Sequence, residues 1–372
     1  MPATSFAPIH VVPLSPYRSL TMQKLMSKKK PTYPITEALS TYLTKYARNI
    51  KIPIYYDDLL RYQGAVTVYD KHGNDSLWIQ VYYSESERED IEYSLKQMYS
   101  ILHSDGSDAL LPYLNIDSID YCTFGNSKPF RIKVRNILND NYIFLYIKKA
   151  DASRIYGLEL EHLLSPNHIN FLVHGNTLIE EHISGIPGDD FITYHLDACS
   201  EQDKREIAKE FVKFNERCFI RLLGDMRSYN YVMVLTNDFD RIQYRIRAID
   251  FDQQSYEGNV KVYRPQFLKE NNAFVQLVAS ELKQPSVEQY KREERSLLAK
   301  RATSEKKRLR QLIVCMRKDE ISQPEKIKEL KNALLDLTGD INFKKSKNMG
   351  QILDSALHFI VRNYQSVNPF LR

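Results

Sequence analysis

Three side chains near the middle of the chain have the types and the spacing to do chemistry: Asp225, Asn230 and Asp250. The first two lie five residues apart in Leu223-Gly224-Asp225-Met226-Arg227-Ser228-Tyr229-Asn230, and the third in Ile249-Asp250-Phe251-Asp252. Between Asn230 and Asp250 the sequence reads strand, polar turn, strand. The turn is Thr236-Asn237-Asp238-Phe239-Asp240, after which Ile242, Tyr244, Ile246 and Ala248 alternate with polar residues in a half-buried strand pattern. Folded back as an antiparallel hairpin, the two strands run ~4.8 Å apart, and Asn230 and Asp250 fall at the same end. An amide oxygen and a carboxylate so placed can share one magnesium ion, which takes a few protein oxygens together with phosphate oxygens and water. Asp225, on the loop before Asn230, would face the same space, where a carboxylate can orient a hydroxyl and accept its proton.

The flanking sequence supplies elements that could hold this loop. A helix over 201–223, with Ile207, Phe211, Phe214, Cys218 and Leu222 on one face, runs directly into it. Upstream, strands are expected over 119–124, 130–134 and 142–149, then a helix over 152–164 that stops at Ser165-Pro166, because proline disfavours helix in the residue before it. Strands over 169–173 and 177–183 complete this set. Residues 32–112 read as a small α+β unit ahead of it, with a helix near 35–49, a hairpin formed by 65–69 and 77–83, and a helix over 85–102. The fold class expected is α+β, with a small antiparallel lobe over 113–186 and a helical lobe over 187–372.

Gly-Asp-x-x-x-x-Asn followed by Ile-Asp-Phe resembles the catalytic and metal-binding loops of the aminoglycoside phosphotransferase and protein-kinase superfamily, and the likeness covers about residues 117–265. Ile-Asp-Phe-Asp is also similar to kinases of lipopolysaccharide core sugars. The resemblance implies a protein-kinase-like bilobal fold, with ATP and Mg2+ as cofactors, Asp225 as the catalytic aspartate, and Asn230 and Asp250 as metal ligands. By the same likeness Arg227 stands where many protein kinases hold a phosphate-contacting lysine. Lys148, at the end of Leu-Tyr-Ile-Lys, stands for the lysine that meets nucleotide phosphates, since Lys149 points to the opposite face of the strand. Glu159 or Glu161 on the next helix would hold Lys148 in an ion pair, with Glu159 the better fit. Backbone groups of Glu181 and Ile183 would form the adenine hinge, and Gly125 marks the loop nearest the phosphates.

The chain departs from protein kinases at several points. Its loop carries one glycine where they have three, Leu223 replaces a histidine, and no Ala-Pro-Glu follows Asp252. The expected acceptor is therefore a hydroxyl on a small molecule or sugar, with a protein acceptor left open. The alternative is a pseudokinase, a nucleotide-binding or scaffolding module without turnover.

Composition narrows the classes further. Hydrophobic residues make up 43% of the 372 and charged residues 27%, the balance of a globular protein. No apolar run approaches the ~20 residues of a membrane span, and four dispersed cysteines form no CxxC pair. A cytoplasmic setting is the expectation. The net charge of +5 resides wholly in residues 1–30, which read as a basic, disordered tail over 1–31. The basic stretch 290–318 has a partial apolar stripe and no interleaved aromatics, so it reads as a charged amphipathic helix and argues against nucleic acid. His162, His168, His174 and His182 lack metal-ligand spacing.

Overall fold

The computed structural model describes residues 30–364 apart from 71–72, 104–105, 107, 126 and 239–240. The basic tail expected over 1–31 lies outside the described residues but for its last two.

Helices α1 (Glu37–Lys45) and α2 (Tyr56–Leu59) lead into the hairpin β1 (Gly64–Tyr69) and β2 (Asp75–Tyr82), followed by α3 (Glu85–His103). Strands β3 (Leu114–Cys122), β4 (Phe130–Asn136) and β5 (Tyr142–Lys149) come next, then α4 (Ala152–Leu164), then β6 (Phe171–His174) and β7 (Thr177–Glu181). The short β8 (Ile186–Pro187) and α5 (Gly188–Tyr194) connect to the long α6 (Glu201–Arg221) and the hairpin β9 (Tyr231–Asp238) and β10 (Arg241–Ala248). Six helices follow: α7 (Asn272–Glu281), α8 (Gln284–Ser304), α9 (Lys306–Met316), α10 (Pro324–Thr338), α11 (Ile341–Lys345) and α12 (Met349–Tyr364).

The class is mixed α+β. Seven antiparallel strands form one sheet in the order β1-β2-β3-β4-β5-β7-β6, and β10-β9-β8 form a second, smaller sheet. Period-two alternation sends neighbouring residues of the large sheet to two different cores. Leu145, Ile147 and Ile179 join Leu95 and Met98 of α3 on one face. Leu178 and Phe171 join α4 and the C-terminal helices on the other.

Residues 32–112, expected as a unit ahead of the main domain, belong to the same compact unit as the rest of Thr32–Arg372. Trp78, Ile79 and Gln80 of β2 pair with Cys122, Tyr121 and Asp120 of β3, so the hairpin covers what would otherwise be an open sheet edge. Leu39, Tyr42 and Leu43 of α1 are buried in the core around α4.

Helix α4 is the pivot between the sheet and the helices, and twelve of its thirteen residues are buried. Its N-cap, Asp151, accepts from Arg154 N at 3.1 Å and from Tyr33 N at 2.9 Å, so one carboxylate starts the helix and anchors the incoming chain. Gly157 lets α4 sit directly on Phe251, because a Cβ there would lie 2.9 Å from Phe251 Cβ. Any side chain at this position would separate the helix from the segment that carries Asp250.

The basic stretch 290–318 folds as two helices, α8 and α9, with the break at Glu305. Several of its cations are used internally. Arg295 Nε pairs with Glu216 at 2.7 Å, Arg308 Nη2 with Glu159 at 2.8 Å, and Arg301 donates to the Leu164 carbonyl at 3.4 Å. The sequence expectation is a charged amphipathic helix. Buried carboxylates on α4 and α6 draw these arginines inward instead, because an unpaired buried charge is costly.

Candidate active site

The hairpin β9–β10 has the register that the spacing predicts. Arg241 pairs with Asp238 at the turn, and Ala248 pairs with Tyr231 at the far end. Ile249 N donates to Asn230 O at 3.0 Å, so Asn230 and Asp250 flank the last rung of the ladder at the same end.

Asp225 is fixed to Asn230 through a compact turn. Asn230 Nδ2 donates to the Asp225 carbonyl at 2.7 Å, and Arg227 N donates to the same carbonyl at 2.8 Å. The backbone of Asp225 has φ +58°, a conformation most residues avoid at a cost of roughly 1–2 kcal/mol. It is held there from both sides, with Gly224 N on Gln253 O at 3.2 Å and Asp225 N on Val262 O at 3.1 Å. Strain held by its surroundings at a carboxylate is a recurrent mark of function. Arg227 Nε donates to Asp225 Oδ1 at 2.7 Å and its Nη1 to Glu270 Oε1 at 2.9 Å, while Glu270 Oε2 has no partner among the described residues. Burial pushes the Asp225 carboxyl above its ordinary pKa, and Arg227 only partly offsets this.

A second cluster adjoins the first. Lys148 Nζ donates to Glu180 Oε2 at 2.7 Å, and Arg154 Nη1 donates to Glu180 Oε1 at 3.0 Å. Arg154 also reaches Asp250 Oδ1 from Nη2 and Asp252 Oδ1 from Nε, both at 2.7 Å. Asp252 N donates to the same Asp250 oxygen at 3.0 Å. Burial and the neighbouring Asp252 push the Asp250 carboxyl up to about 6, and the attraction of Arg154 does not cancel them. Burial likewise raises the Glu180 carboxyl, but Arg154 and Lys148 together bring it below the usual range.

The structure therefore corrects the partner of Lys148. It is Glu180 on β7, and neither Glu159 nor Glu161. Tyr146 of β5 stands opposite Glu180 and Lys148 opposite Leu178, which puts Lys148 and Glu180 on one face as diagonal neighbours. That placement follows from the β5–β7 register; the sequence expectation for this stretch is the backbone hinge at Glu181 and Ile183. The nearest inward side chain of α4 is Arg154, on its first turn. Glu161 lies seven residues further along the helix and Glu159 about 140° around it.

Both glutamates are bound elsewhere. Glu161 pairs with Arg221 of α6 and accepts from Asn167 at 3.3 Å. Glu159 is fully buried and meets Arg48 at 3.2 Å, Arg308 at 2.8 Å and the Tyr42 hydroxyl at 2.6 Å.

Of the two residues expected to form a hinge, Glu181 uses its N–H on Asn170 O at 3.2 Å, and Ile183 lies past the end of β7, packed against the larger core. Gly125 makes a turn at φ +84° with open space where a side chain would stand. Among the described residues no three of His, Cys, Asp and Glu converge as a metal cage. Asn230 and Asp250 are the oxygen-bearing side chains at this end of the hairpin that could contribute to a magnesium site.

His162 stacks near the Glu159 cluster, its Nδ1 3.2 Å from Arg48 Nη2. Burial, reinforced by Arg48, holds its pKa down to about 4 from an ordinary 6.5. The unfolded chain takes up this proton near pH 6.5 and the folded chain only near pH 4. Stability from this group is thus intact above pH 6.5 and is lost as the pH falls toward 4. With solvent screening at this half-buried ring the loss is roughly 1–2 kcal/mol. Urea denaturation at pH 7 and pH 4.5 checks it: His162→Gln should lose less stability between the two than the parent, and an equal loss would refute the assignment.

Two cavities lie away from Asp225, Asn230 and Asp250. One of about 850 Å³ runs between α1 and α9, and one of about 650 Å³ lies between α6 and β10. Neither is lined by Asp225, Asn230 or Asp250, so here chemistry is the better guide to the site than volume. Among the described residues no helix is long and apolar enough to cross a membrane. Neither a protein-family model nor a curated protein matches this chain.

Proposed function

We propose that this chain is an ATP- and magnesium-dependent phosphotransferase with a protein-kinase-like bilobal fold, acting on a hydroxyl of a small molecule or sugar. The observation that carries the reading is the joint placement of Asp225, Asn230 and Asp250 at one end of the β9–β10 hairpin, with Asn230 braced on the Asp225 backbone at 2.7 Å. The strand order β3-β4-β5-β7-β6, with α4 inserted between β5 and β6, supports the small lobe of such a fold.

In this reading Asp225 orients the acceptor hydroxyl and receives its proton, for which a carboxyl pKa raised by burial is suited. Lys148 offers its ammonium to nucleotide phosphates. Asn230 and Asp250 would hold the magnesium, whose contribution is to neutralise charge on the phosphates. Positioning and charge neutralisation then carry the rate.

A scaffold without turnover is the second reading. It is favoured by Lys148 and Asp250 both being engaged by internal partners, Glu180 and Arg154. Thermal denaturation with nucleotide separates the possibilities. Magnesium–ATP at about one hundred times its Kd should stabilise the chain by about 2.7 kcal/mol, and Asp250→Asn should abolish the magnesium-dependent part of that gain. No shift at millimolar magnesium–ATP would remove the nucleotide site, and a shift untouched by Asp250→Asn would remove the metal assignment. Labelled-ATP transfer across a panel of hydroxyl acceptors then decides between enzyme and scaffold.

A further inference from the structure

Lys148 and Asp250 belong to different elements, yet one side chain ties them together. Arg154 is 3% exposed, and its Nη1, Nη2 and Nε each donate to a different carboxylate, those of Glu180, Asp250 and Asp252. Because Glu180 also accepts from Lys148, a continuous chain of charges runs Lys148–Glu180–Arg154–Asp250 from the large sheet to the end of the β9–β10 hairpin.

The geometry is held from behind. Asp151 caps the Arg154 N–H at 3.1 Å, the Ser153 hydroxyl donates to Gln254 O at 2.7 Å, and Phe251 packs on Gly157 one turn further along. The base of the arginine is thus fixed on both sides. Its planar fork fixes the carboxylates in turn, as a lysine with one point charge could not.

The consequence for Asp250 is specific. Oδ1 is used by Arg154 Nη2 and Asp252 N, whereas Oδ2 makes no hydrogen bond among the described residues, and the side chain is 33% exposed. Arg154 takes the inner oxygen and leaves the outer one open. The open oxygen is where a divalent cation could be met.

We propose that Arg154 is a positioning residue of the phosphoryl-transfer site, setting the rotamer of Asp250 for metal binding and, through Glu180, the reach of Lys148. It takes the place that a helix glutamate was expected to fill, and it touches neither nucleotide nor acceptor. The inference rests on the phosphotransferase reading above. A merely structural ion pair would alter the stability of the free protein without altering its demand for magnesium.

The test uses the full chain carrying Arg154→Lys, Arg154→Met or Asp252→Asn, the last of which takes the charge off the partner of Arg154 Nε. Nucleotide binding is followed by thermal shift with ATP over a magnesium titration, and urea denaturation reports the stability of each free variant. Arg154→Lys and Arg154→Met should raise the magnesium concentration for half-maximal stabilisation by about tenfold or more, as loss of an orienting partner does at metal sites. Asp252→Asn should raise it by a smaller factor in the same direction.

An unchanged magnesium requirement in folded Arg154→Lys and Arg154→Met overturns the proposal. If both fail to fold, an unchanged requirement in Asp252→Asn overturns it. A parent chain that binds no nucleotide at any magnesium concentration overturns the phosphotransferase reading and this inference with it. A parent that binds while the variants match it overturns the inference alone.

Discussion

Under the phosphotransferase reading proposed above, replacing Asp225 with asparagine is expected to lower the phosphoryl-transfer rate by about 10²–10⁴-fold, the range for loss of a positioned general base, while leaving the fold in place. The two halves of that statement have separate causes. The rate falls because the amide cannot accept the proton of the attacking hydroxyl, even though its shape and its carbonyl contact survive. The fold is spared for three reasons. Asparagine accepts the left-handed backbone that residue 225 adopts at φ +58°. Arg227 keeps its second partner, Glu270, at 2.9 Å. Burial already disfavours the charged form of Asp225, so removing the charge relieves a desolvation cost that offsets much of the lost ion pair. Kinetics with labelled ATP and urea denaturation of the same preparation measure both halves. A variant that transfers phosphate at the parent rate would take Asp225 out of the reaction. One that fails to fold would mean that Arg227 depends on the charge far more than its contact with Glu270 indicates.

The second large effect concerns stability. Glu159→Leu should destabilise the chain by about 3–5 kcal/mol, the range for breaking a buried ion network from one side. Among the described residues Glu159 is the single carboxylate between Arg48 and Arg308, and it also accepts the Tyr42 hydroxyl. Without it two guanidinium groups face each other, and the buried phenol loses its acceptor. These contacts come from three parts of the chain. Tyr42 and Arg48 belong to α1 and the segment after it, Arg308 to α9, and Glu159 to α4. Asp319 repeats the pattern, taking the Tyr156 hydroxyl at 2.6 Å and the Thr36 hydroxyl at 3.0 Å. The flanking segments therefore brace α4, the helix that carries Arg154.

Replacing the whole network, Glu159→Leu with Arg48→Met and Arg308→Met, should recover most of the loss, because apolar side chains of similar volume carry no desolvation cost. The shift in urea midpoint across the single and triple variants measures this. A single variant within 1 kcal/mol of the parent would mean that water reaches the arginines and the cluster is not a brace.

The contrast between Glu159 and Glu180 shows where sequence reading stops. Both are glutamates that follow Lys148 in the chain, and helical and strand periodicity describe each correctly within its own element. What periodicity does not carry is how far along α4 the sheet reaches, or which turn of the helix faces it. That depends on the angle at which α4 leaves β5, which is set by the Asp151 cap, by Gly157 against Phe251 and by α1 and α9 packing behind.

The amino-acid sequence alone was enough for the order and type of the elements from 114 to 248 apart from β8 and α5, because alternation and helical stripes are local. It was also enough to put Asn230 and Asp250 at the same end of the hairpin, since a hairpin with its turn at the midpoint has one register. Only the tertiary structure decided that Lys148 belongs to Glu180, that Arg154 joins it to Asp250, and that β1 and β2 extend the main sheet. Those pairings link residues distant in the chain, and they are chosen by buried charges seeking partners and by sheet edges seeking strands, which no local pattern encodes.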